Sequence, residues 1–270
     1  MKRVLLLSFL ASSFFLSSAQ KFTVGVKGGV QGYTMRYQQK DIRDVFHNRF
    51  KGGFLGGLVI GFPLPADFSF IAESQLSVKG RKVRFNQSTL DPSYAWVNNS
   101  TYYFIENSLL LRKEFPVSFY DFHSSWYFNV GPNISYWMGG NGVLTTTTST
   151  TGLNYKMVFT DSVYYDPRSI NFNEMQVVDA NRWLFGLDFG VGFMTHVLGN
   201  QRFFSEVRFT YGHTYLGQSY SANLYVLGFD DNLRNAYRSL NVTLGYAISL
   251  DLRDQRKGKS TLDKQKRRAP

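Results

Sequence analysis

The chain has 270 residues, no cysteine and a formal net charge of +11 at pH 7. Without cysteine it can form neither a disulfide nor a thiolate metal site, and it has no cysteine nucleophile. Aromatic residues make up 17% of the chain and glycine occurs 24 times, a composition typical of strands that have one apolar face and one face of small or polar residues.

The first nineteen residues have the pattern of a secretory signal peptide. Lys2 and Arg3 precede an apolar stretch, Val4–Leu16, which ends in the small residues Ser17, Ser18 and Ala19. The apolar stretch is too short for a transmembrane helix, which needs roughly 20 apolar residues. No later stretch is long and apolar enough to cross a membrane as a helix, so the sequence predicts either an exported soluble protein or a barrel.

Residues 20–250 are predicted to form one domain of eight β-strands. The last strand is the clearest, because large apolar residues occupy every second position from Leu240 to Leu250, with small or polar residues between them. This period of two indicates a strand whose two faces meet different surroundings. In chain order the predicted strands are Phe22–Tyr33, Phe50–Phe62, Phe68–Arg81, Tyr102–Lys113, Trp126–Tyr136, Trp183–Met194, Phe203–Tyr211 and Ser239–Leu250.

The connections between these strands alternate in length. Shorter ones follow the even-numbered strands, at Pro63–Asp67, Phe115–Ser124 and Val197–Gln201. Longer ones follow the odd-numbered strands, at Tyr37–Arg49, Asn86–Ser100, Gly139–Asn181 and Gln218–Arg234. Outer-membrane barrels have short periplasmic turns and longer external loops. The sequence therefore predicts an all-β fold, an eight-stranded antiparallel transmembrane β-barrel in an up-and-down meander, in the bacterial outer membrane with both termini in the periplasm.

An exported β-sandwich or a lipocalin-like barrel would also alternate. In those soluble folds the apolar face packs inward, so Lys, Glu and Ser should crowd the second face. Here the second face is mainly Gly, Ala, Ser, Thr and Asn, and aromatic residues lie near strand ends as in an interfacial girdle. This distribution favours the membrane barrel.

The connection 139–181 is long enough to have structure or function of its own. Leu153, Tyr155, Met157 and Phe159 alternate with polar residues within it. We expect a hairpin that extends the fifth and sixth barrel strands and closes around residues 166–167.

Four stretches resemble the PorT-like outer-membrane β-barrel family of the Bacteroidetes. They are Val24–Gly29, Gly52–Gly57, Tyr103–Arg112 and Phe185–Gly192. Where that family usually has an apolar residue followed by Pro after the Glu of the third stretch, this chain has Asn107 and Ser108. The resemblance implies participation in type IX protein secretion or in another envelope complex.

The alternation places eight charged residues on the inward face of the barrel, four acids and four bases. They are Lys27, Glu73, Lys79, Glu106, Arg112, Asp188, Glu206 and Arg208. The lumen of an eight-stranded barrel is just wide enough for side chains to fill, and unpaired charges there would be costly to desolvate. We expect a structural ion-pair network that plugs the barrel, with a narrow pore or a proton path as the alternative.

Small barrels can also be lipid A deacylases, which use a His and a nearby Ser toward the outer end of a strand. His213 lies near such an end with Ser219 and Glu206 in the neighbourhood, but Tyr215 stands where the Ser is expected. A His activates a Ser only within hydrogen-bond reach, so an interfacial His is the favoured interpretation. His47, His123 and His196 are isolated, and no catalytic residue, metal site or cofactor is predicted.

Residues 251–270 form a basic tail predicted to lie in the periplasm. Its basic residues are Arg253, Arg256, Lys257, Lys259, Lys264, Lys266, Arg267 and Arg268. Such a charge run is usually solvated, and the alternative is docking to an acidic periplasmic partner or an anionic surface. Nucleic acid is an improbable partner in that compartment.

The sequence thus favours a non-enzymatic barrel, surrounded by outer-membrane lipid, that is a structural or accessory component of an envelope complex. A barrel that binds surface ligands or mediates adhesion through the 139–181 loop is the second hypothesis. A lipid A-modifying enzyme is the third.

Overall fold

A computed structural model describes residues 21–37, 46–85, 95–119, 122–148, 151–161, 173–197, 199–218, 221–224 and 227–251. The predicted signal peptide and the basic tail beyond residue 251 lie outside these ranges. Within the described ranges no helix is long and apolar enough to span a membrane.

Thirteen β-strands account for most of the described residues. In chain order they are β1 (Lys21–Tyr37), β2 (Phe46–Arg49), β3 (Lys51–Pro63), β4 (Phe68–Phe85), β5 (Trp96–Phe119), β6 (Phe122–Thr146), β7 (Leu153–Thr160), β8 (Glu174–Val178), β9 (Trp183–His196), β10 (Gln201–Tyr215), β11 (Ala222–Leu224), β12 (Phe229–Asp231) and β13 (Asn235–Asp251).

Eight of these strands form a closed ring. Its order is β1, β3, β4, β5, β6, β9, β10 and β13, and β13 pairs with β1 over the full length of both, from Lys21 opposite Asp251 to Tyr37 opposite Asn235. Every neighbouring pair in the ring is antiparallel. The predicted eight-stranded up-and-down barrel is confirmed.

The alternation in sequence becomes an alternation between the wall's two faces. On β9, Phe185 and Val191 are about half exposed on the outside, whereas Leu184 and Asp188 are buried on the inside. Because side chains of a strand point to opposite faces in turn, an apolar outer belt and a mixed lumen follow directly from the period of two.

The two ends of the barrel differ. At one end, here called the short-turn end, the connections from β3 to β4, from β5 to β6 and from β9 to β10 are only two to four residues long, and Lys21 pairs with Asp251. The predicted connection Phe115–Ser124 is mostly strand, because β5 continues to Phe119 and Pro116 lies opposite Ser125. Pro and Ser are typical of turns in sequence, but here Pro116 and Ser125 lie within an extended hairpin.

At the other end, four short strands form a sheet that we call the cap: β7, β8, β11 and β12. β5 and β6 continue past the barrel rim, and β7 turns back to pair with the end of β6. β8 then pairs with β7 in parallel, and β11 connects β8 to β12. We call this end of the barrel the capped end.

The expected hairpin in the 139–181 loop differs from this arrangement. The fifth barrel strand is extended, as β6, to Thr146, but its returning partner is β7 and not a continuation of β9, which begins only at Trp183. The predicted tip, residues 166–167, lies outside the described residues. A parallel pair such as β7–β8 needs a crossover connection, which local alternation in the sequence does not reveal.

Candidate functional site: a charged lumen beneath a docked cap

The centre of the lumen is occupied by an ion-pair cluster around Glu73 of β4. Lys27 of β1 donates a hydrogen bond from Nζ to Glu73 Oε2 at 2.5 Å. Arg208 of β10 donates from Nη1 to Oε2 at 2.5 Å and from Nη2 to Oε1 at 3.0 Å. Three strands are therefore joined across the lumen through one carboxylate.

Arg208 extends the cluster to two further acids. Its Nε donates to Glu206 Oε1 at 2.5 Å, and its Nη1 lies 3.5 Å from Asp188 Oδ2. Asp188 also accepts a hydrogen bond from the Ser108 hydroxyl at 2.7 Å. Gly190 makes room for this arrangement, because a Cβ at that position would lie 2.7 Å from Glu206 Oε1.

A second layer lies toward the short-turn end. Asn129 of β6 donates from Nδ2 to Glu206 Oε2 at 2.9 Å and accepts from Arg112 Nε at 3.0 Å. The Arg112 guanidinium lies over the Tyr127 ring, 3.9 Å from its centroid. Its Nη2 is 4.0 Å from Glu206 Oε2 and has no hydrogen-bond partner among the described residues.

A third layer lies toward the capped end. Lys79 of β4 forms an ion pair with Glu106 of β5, and Gln75 donates to the other oxygen of that carboxylate at 2.8 Å. The Lys79 ammonium also lies over the Tyr237 ring, 4.3 Å from its centroid. Aromatic side chains thus cover the cation on the side facing the cap.

The structure brings all eight predicted lumen charges together. Each is on the inward face and none is more than 6% exposed. The four acids and four bases balance, and the shared carboxylates and guanidinia connect most of them. Charges this deeply buried are tolerated only when they are paired and hydrogen-bonded. The network therefore pairs the charged residues of the inner wall and also fills the lumen.

A further buried ion pair was not predicted from the sequence. Arg81 of β4 donates from Nη2 to Asp231 Oδ1 at 2.8 Å and from Nη1 to Oδ2 at 3.0 Å. Asp231 belongs to β12 of the cap, and Asn98 of β5 donates to the same carboxylate at 3.0 Å. Tyr37 accepts a short hydrogen bond from Arg81. This bidentate pair fastens the cap to the barrel wall.

Apolar packing continues from the barrel into the cap. One buried cluster contains inward-facing aromatic residues of the barrel, such as Tyr102 and Trp137, together with Met157, Val177 and Phe229 of the cap. Tyr155 of β7 donates to Asn98 Oδ1 at 2.6 Å. Burial raises the pKa of Tyr155 above its ordinary value, so the phenol keeps the proton that it donates. The mouth of the barrel is therefore covered by a packed sheet.

The short-turn end contains a small cavity of about 150 Å³ inside the wall. Arg112, Arg202 and Glu114 line it together with apolar side chains such as Ile71 and Phe204. Glu114 accepts a hydrogen bond from Ser69 at 3.4 Å. Arg112, which lines the cavity, also belongs to the second layer of the charged lumen.

Two residues of the enzymatic alternative, His213 and Glu206, are not brought together. His213 is exposed on the outward face of β10, whereas Glu206 is buried on the inward face of the same strand. Ser219 lies outside the described residues. Among the residues that the structure describes, no three His, Asp or Glu side chains converge so that they could hold a metal ion.

The family model of the outer membrane protein beta-barrel domain matches residues 17–214. The chain belongs to this family. The protein is therefore a barrel of the bacterial outer membrane. A search of curated proteins finds no match.

Solved structures with similarity to this outer-membrane barrel share little sequence with it. OprG from Pseudomonas aeruginosa is 11% identical with a TM-score of 0.43, covering 84% of this chain and 95% of OprG. Neisserial surface protein A is 11% identical with a TM-score of 0.38, covering 85% of this chain and 96% of the other. Ail, the attachment invasion locus protein of Yersinia pestis, is 11% identical with a TM-score of 0.34, covering 84% of this chain and 98% of Ail.

Proposed function

We propose that this barrel is a closed, non-enzymatic component of an outer-membrane complex and that it acts through its surfaces, not through its lumen. The observation that supports this most is the double closure of the interior. The central cluster around Glu73 and Arg208 fills the lumen, and the cap covers the mouth above it.

The energetics of these groups argue against a solute path through the barrel. A permeating ion or metabolite would have to separate the Glu73–Arg208 pair, and breaking a buried pair is strongly unfavourable because it leaves uncompensated charges. It would also have to displace the cap, which is held by the Arg81–Asp231 pair and by apolar packing. A role as a membrane-anchored scaffold requires neither step.

We further propose that the capped end is outside the cell and the short-turn end is in the periplasm. The short turns at one end and the long connections at the other support this orientation. It places the predicted basic tail in the periplasm, where its eight basic residues would meet acidic partners or anionic surfaces. The tail and the cap are then the two regions available to soluble partners on the two sides of the membrane.

The complex in question is proposed to be a protein-secretion assembly of the type IX class. The support is the resemblance of four strand stretches to the PorT-like family, and the closed lumen fits an accessory role better than a conducting one. Participation in another envelope complex is the broader form of the same proposal.

The test is extraction of the full-length protein, carrying an affinity tag, from native membranes in mild detergent, followed by mass spectrometry of the proteins that co-purify. We expect stoichiometric envelope partners. A matched variant, in which the eight basic residues of the tail are replaced by Gln at unchanged length, should lose a periplasmic partner and keep the others. A barrel that comes out alone from native membranes would remove the support for the accessory role.

A second candidate function is ligand binding or adhesion at the cell surface through the cap. The specific observation in its favour is that the cap is a sheet built on extensions of β5 and β6 and packed on the apolar cluster that it shares with the barrel. Cells that produce the full chain would be compared in adhesion assays with cells producing a variant whose residues 147–178 are replaced by a short Gly-Ser linker. Unchanged adhesion would eliminate this candidate.

A further inference from the structure

Two polar side chains lie side by side on the lipid-facing wall of the barrel. Ser74 of β4 is directly opposite Asn107 of β5 in the strand register, and both are exposed on the outward face. In sequence they are two separate interruptions of the apolar alternation, 33 residues apart. In the structure they form one polar patch.

The patch lies near the middle of the apolar belt. Along β5, Asn107 has Leu109 and Leu111 on one side and Ile105 and Tyr103 on the other as the next outward-facing residues. The belt of an outer-membrane barrel is about 25 Å tall, so a residue with two outward-facing neighbours above and two below is at its centre. This level is hydrocarbon, not headgroup.

Neither side chain has its hydrogen bonds satisfied by the described part of the chain. No hydrogen bond joins the Ser74 hydroxyl or the Asn107 amide to another described residue. The Asn amide alone offers two donors and a carbonyl acceptor. Hydrocarbon supplies no partner for such groups, and leaving them unpaired there is unfavourable.

The neighbouring surface is suited to contact with protein. Leu58 lies opposite Ser74 on β3, and Leu76 is the next outward residue of β4, with exposed fractions of 60% and 59%. Gly56 lies opposite Leu76, and a Cβ there would find nothing closer than 3.7 Å. Two prominent leucines beside a glycine recess give the surface both a protrusion and a hollow.

We infer that this face, made of β3, β4 and β5 around Ser74 and Asn107, is an intramembrane interface with a second copy of the same chain. Two copies inserted with the same polarity can be related by a twofold axis along the membrane normal. A rotation about that axis leaves the depth of every residue unchanged. With the axis beside the patch, the polar patch of one copy therefore meets the polar patch of the other.

The chemistry of the patch is self-complementary, as an isologous interface requires. The Asn107 amide can donate to the carbonyl of its counterpart and accept in return, and the Ser74 hydroxyl can do both. A different membrane protein would need a polar residue of its own at the same depth. This inference does not depend on the proposed accessory function, since a homodimer could serve either an envelope complex or a surface receptor.

The absence of native cysteine makes the interface directly testable by single-thiol crosslinking. An Asn107→Cys variant of the full chain would be produced at native level and treated in intact membranes with a short bis-maleimide. The matched control is Val207→Cys. Val207 is also lipid-facing, 49% exposed, and lies on β10, four strands round the ring from β4.

We expect the Asn107→Cys variant, and a Ser74→Cys variant that keeps Asn107, to give a product of twice the monomer mass at a yield at least about fivefold above that of Val207→Cys. Equal yields from all three positions, or no dimer from positions 74 and 107, would show that the patch faces lipid. A crosslinked product of another mass would show a different partner. Each of these results overturns the inference.

A second measurement separates the polar patch from general apolar contact. The double variant Ser74→Ala with Asn107→Leu makes this face of β4 and β5 apolar and should fold, as resistance to protease would show. Its mass in lipid nanodiscs or mild detergent should shift from dimer to monomer relative to the unaltered chain. A folded double variant that stays dimeric would refute the role of the hydrogen bonds.

Discussion

Glu73 and Arg208 lie four strands apart around the ring and yet make two hydrogen bonds, at 2.5 and 3.0 Å. One ion pair therefore spans the lumen and joins opposite walls of the barrel. Lys27 shares the same carboxylate. The pair fills part of the lumen. It also acts as a brace, because it directly connects two opposite walls that are otherwise joined only through the strands between them.

The first prediction concerns the stability that this brace provides. Glu73→Gln keeps the shape of the side chain but removes its charge, which leaves Lys27 and Arg208 without their shared counter-ion. We expect the free energy of unfolding to fall by about 3–5 kcal/mol, the cost of breaking a buried pair from one side. The measurement is equilibrium unfolding in urea with the protein in lipid vesicles.

A solvent-exposed ion pair provides the control. Lys21 Nζ lies 3.2 Å from Asp251 Oδ2, with 65% of the Lys21 side chain exposed. Such pairs contribute about 0–1 kcal/mol, so Lys21→Ala should leave the midpoint nearly unchanged. Equal small effects from both variants would mean that water or relaxation compensates the central cluster.

The second prediction concerns the attachment of the cap. Asp231→Ala removes the carboxylate that Arg81 and Asn98 both contact. Leaving the Arg81 guanidinium buried without it costs about 3 kcal/mol, which corresponds to a rise of about 100-fold in the open population of the cap. Hydrogen exchange of the amides in β8, β11 and β12 should accelerate by that factor while β9 and β10 keep their protection.

The neighbouring acid is the matched control for this prediction. Asp230 is exposed on the other face of β12. Partial burial of its carboxyl group raises its pKa. Asp230→Ala should leave the exchange of β8 and β11 within about threefold of the unaltered chain. Fast exchange in both variants would show that any substitution in β12 loosens it, and slow exchange in both would show that the Arg81–Asp231 pair does not hold the cap.

The barrel could be predicted from the sequence because its determinants are local. A period of two fixes which residues face inward, and it does so within a single strand. The positions of Lys79 and Glu106 follow in this way without knowledge of the rest of the chain. The same alternation places Arg81, two residues beyond Lys79, on the inward face of the barrel. This was the sequence signal that could have indicated one member of the missed ion pair.

The rest depends on contacts between distant segments. The partner of Arg81 is 150 residues away on β12, a strand of three residues that has no periodicity of its own. The parallel β7–β8 pair and the pairing of Ser74 with Asn107 are equally non-local, because they depend on how the strands are aligned. The sequence shows where polar residues interrupt the apolar face of a strand. It does not show that two of these residues, Ser74 and Asn107, lie opposite each other.

The third prediction concerns the crowding that the curvature of the wall produces on its inner face. Gly53 faces inward, and a Cβ there would lie 2.0 Å from the backbone oxygen of Val78 on the next strand. Backbone cannot yield as a side chain can, so Gly53→Ala should lower the free energy of unfolding by about 1–3 kcal/mol or more. Its neighbour Gly52 faces outward, and a Cβ there meets nothing within 4 Å.

Gly52→Ala is therefore the control, expected to be neutral or stabilising by up to about 1 kcal/mol through the entropy of the unfolded chain. Both variants would be compared by urea unfolding in the same vesicles. If the two substitutions had equal effects, strand propensity and not the inner-face crowding would determine the tolerance of these positions.

The last prediction is that the interior is closed by two barriers in series, the central cluster and the cap. In a planar bilayer the unaltered protein should show no steady ionic conductance. Glu73→Ala combined with Arg208→Ala removes the side chains that span the lumen, but the cap still covers the mouth. Asp231→Ala loosens the cap but leaves the lumen filled. We expect neither variant to conduct, whereas the triple variant should show discrete conductance steps, because barriers in series must both be open before ions pass.

Steady current through the unaltered protein would refute the closed barrel. Full conductance in the Asp231→Ala variant alone would show that the cap is the sole barrier, because ions would then pass through the hydrated charge cluster.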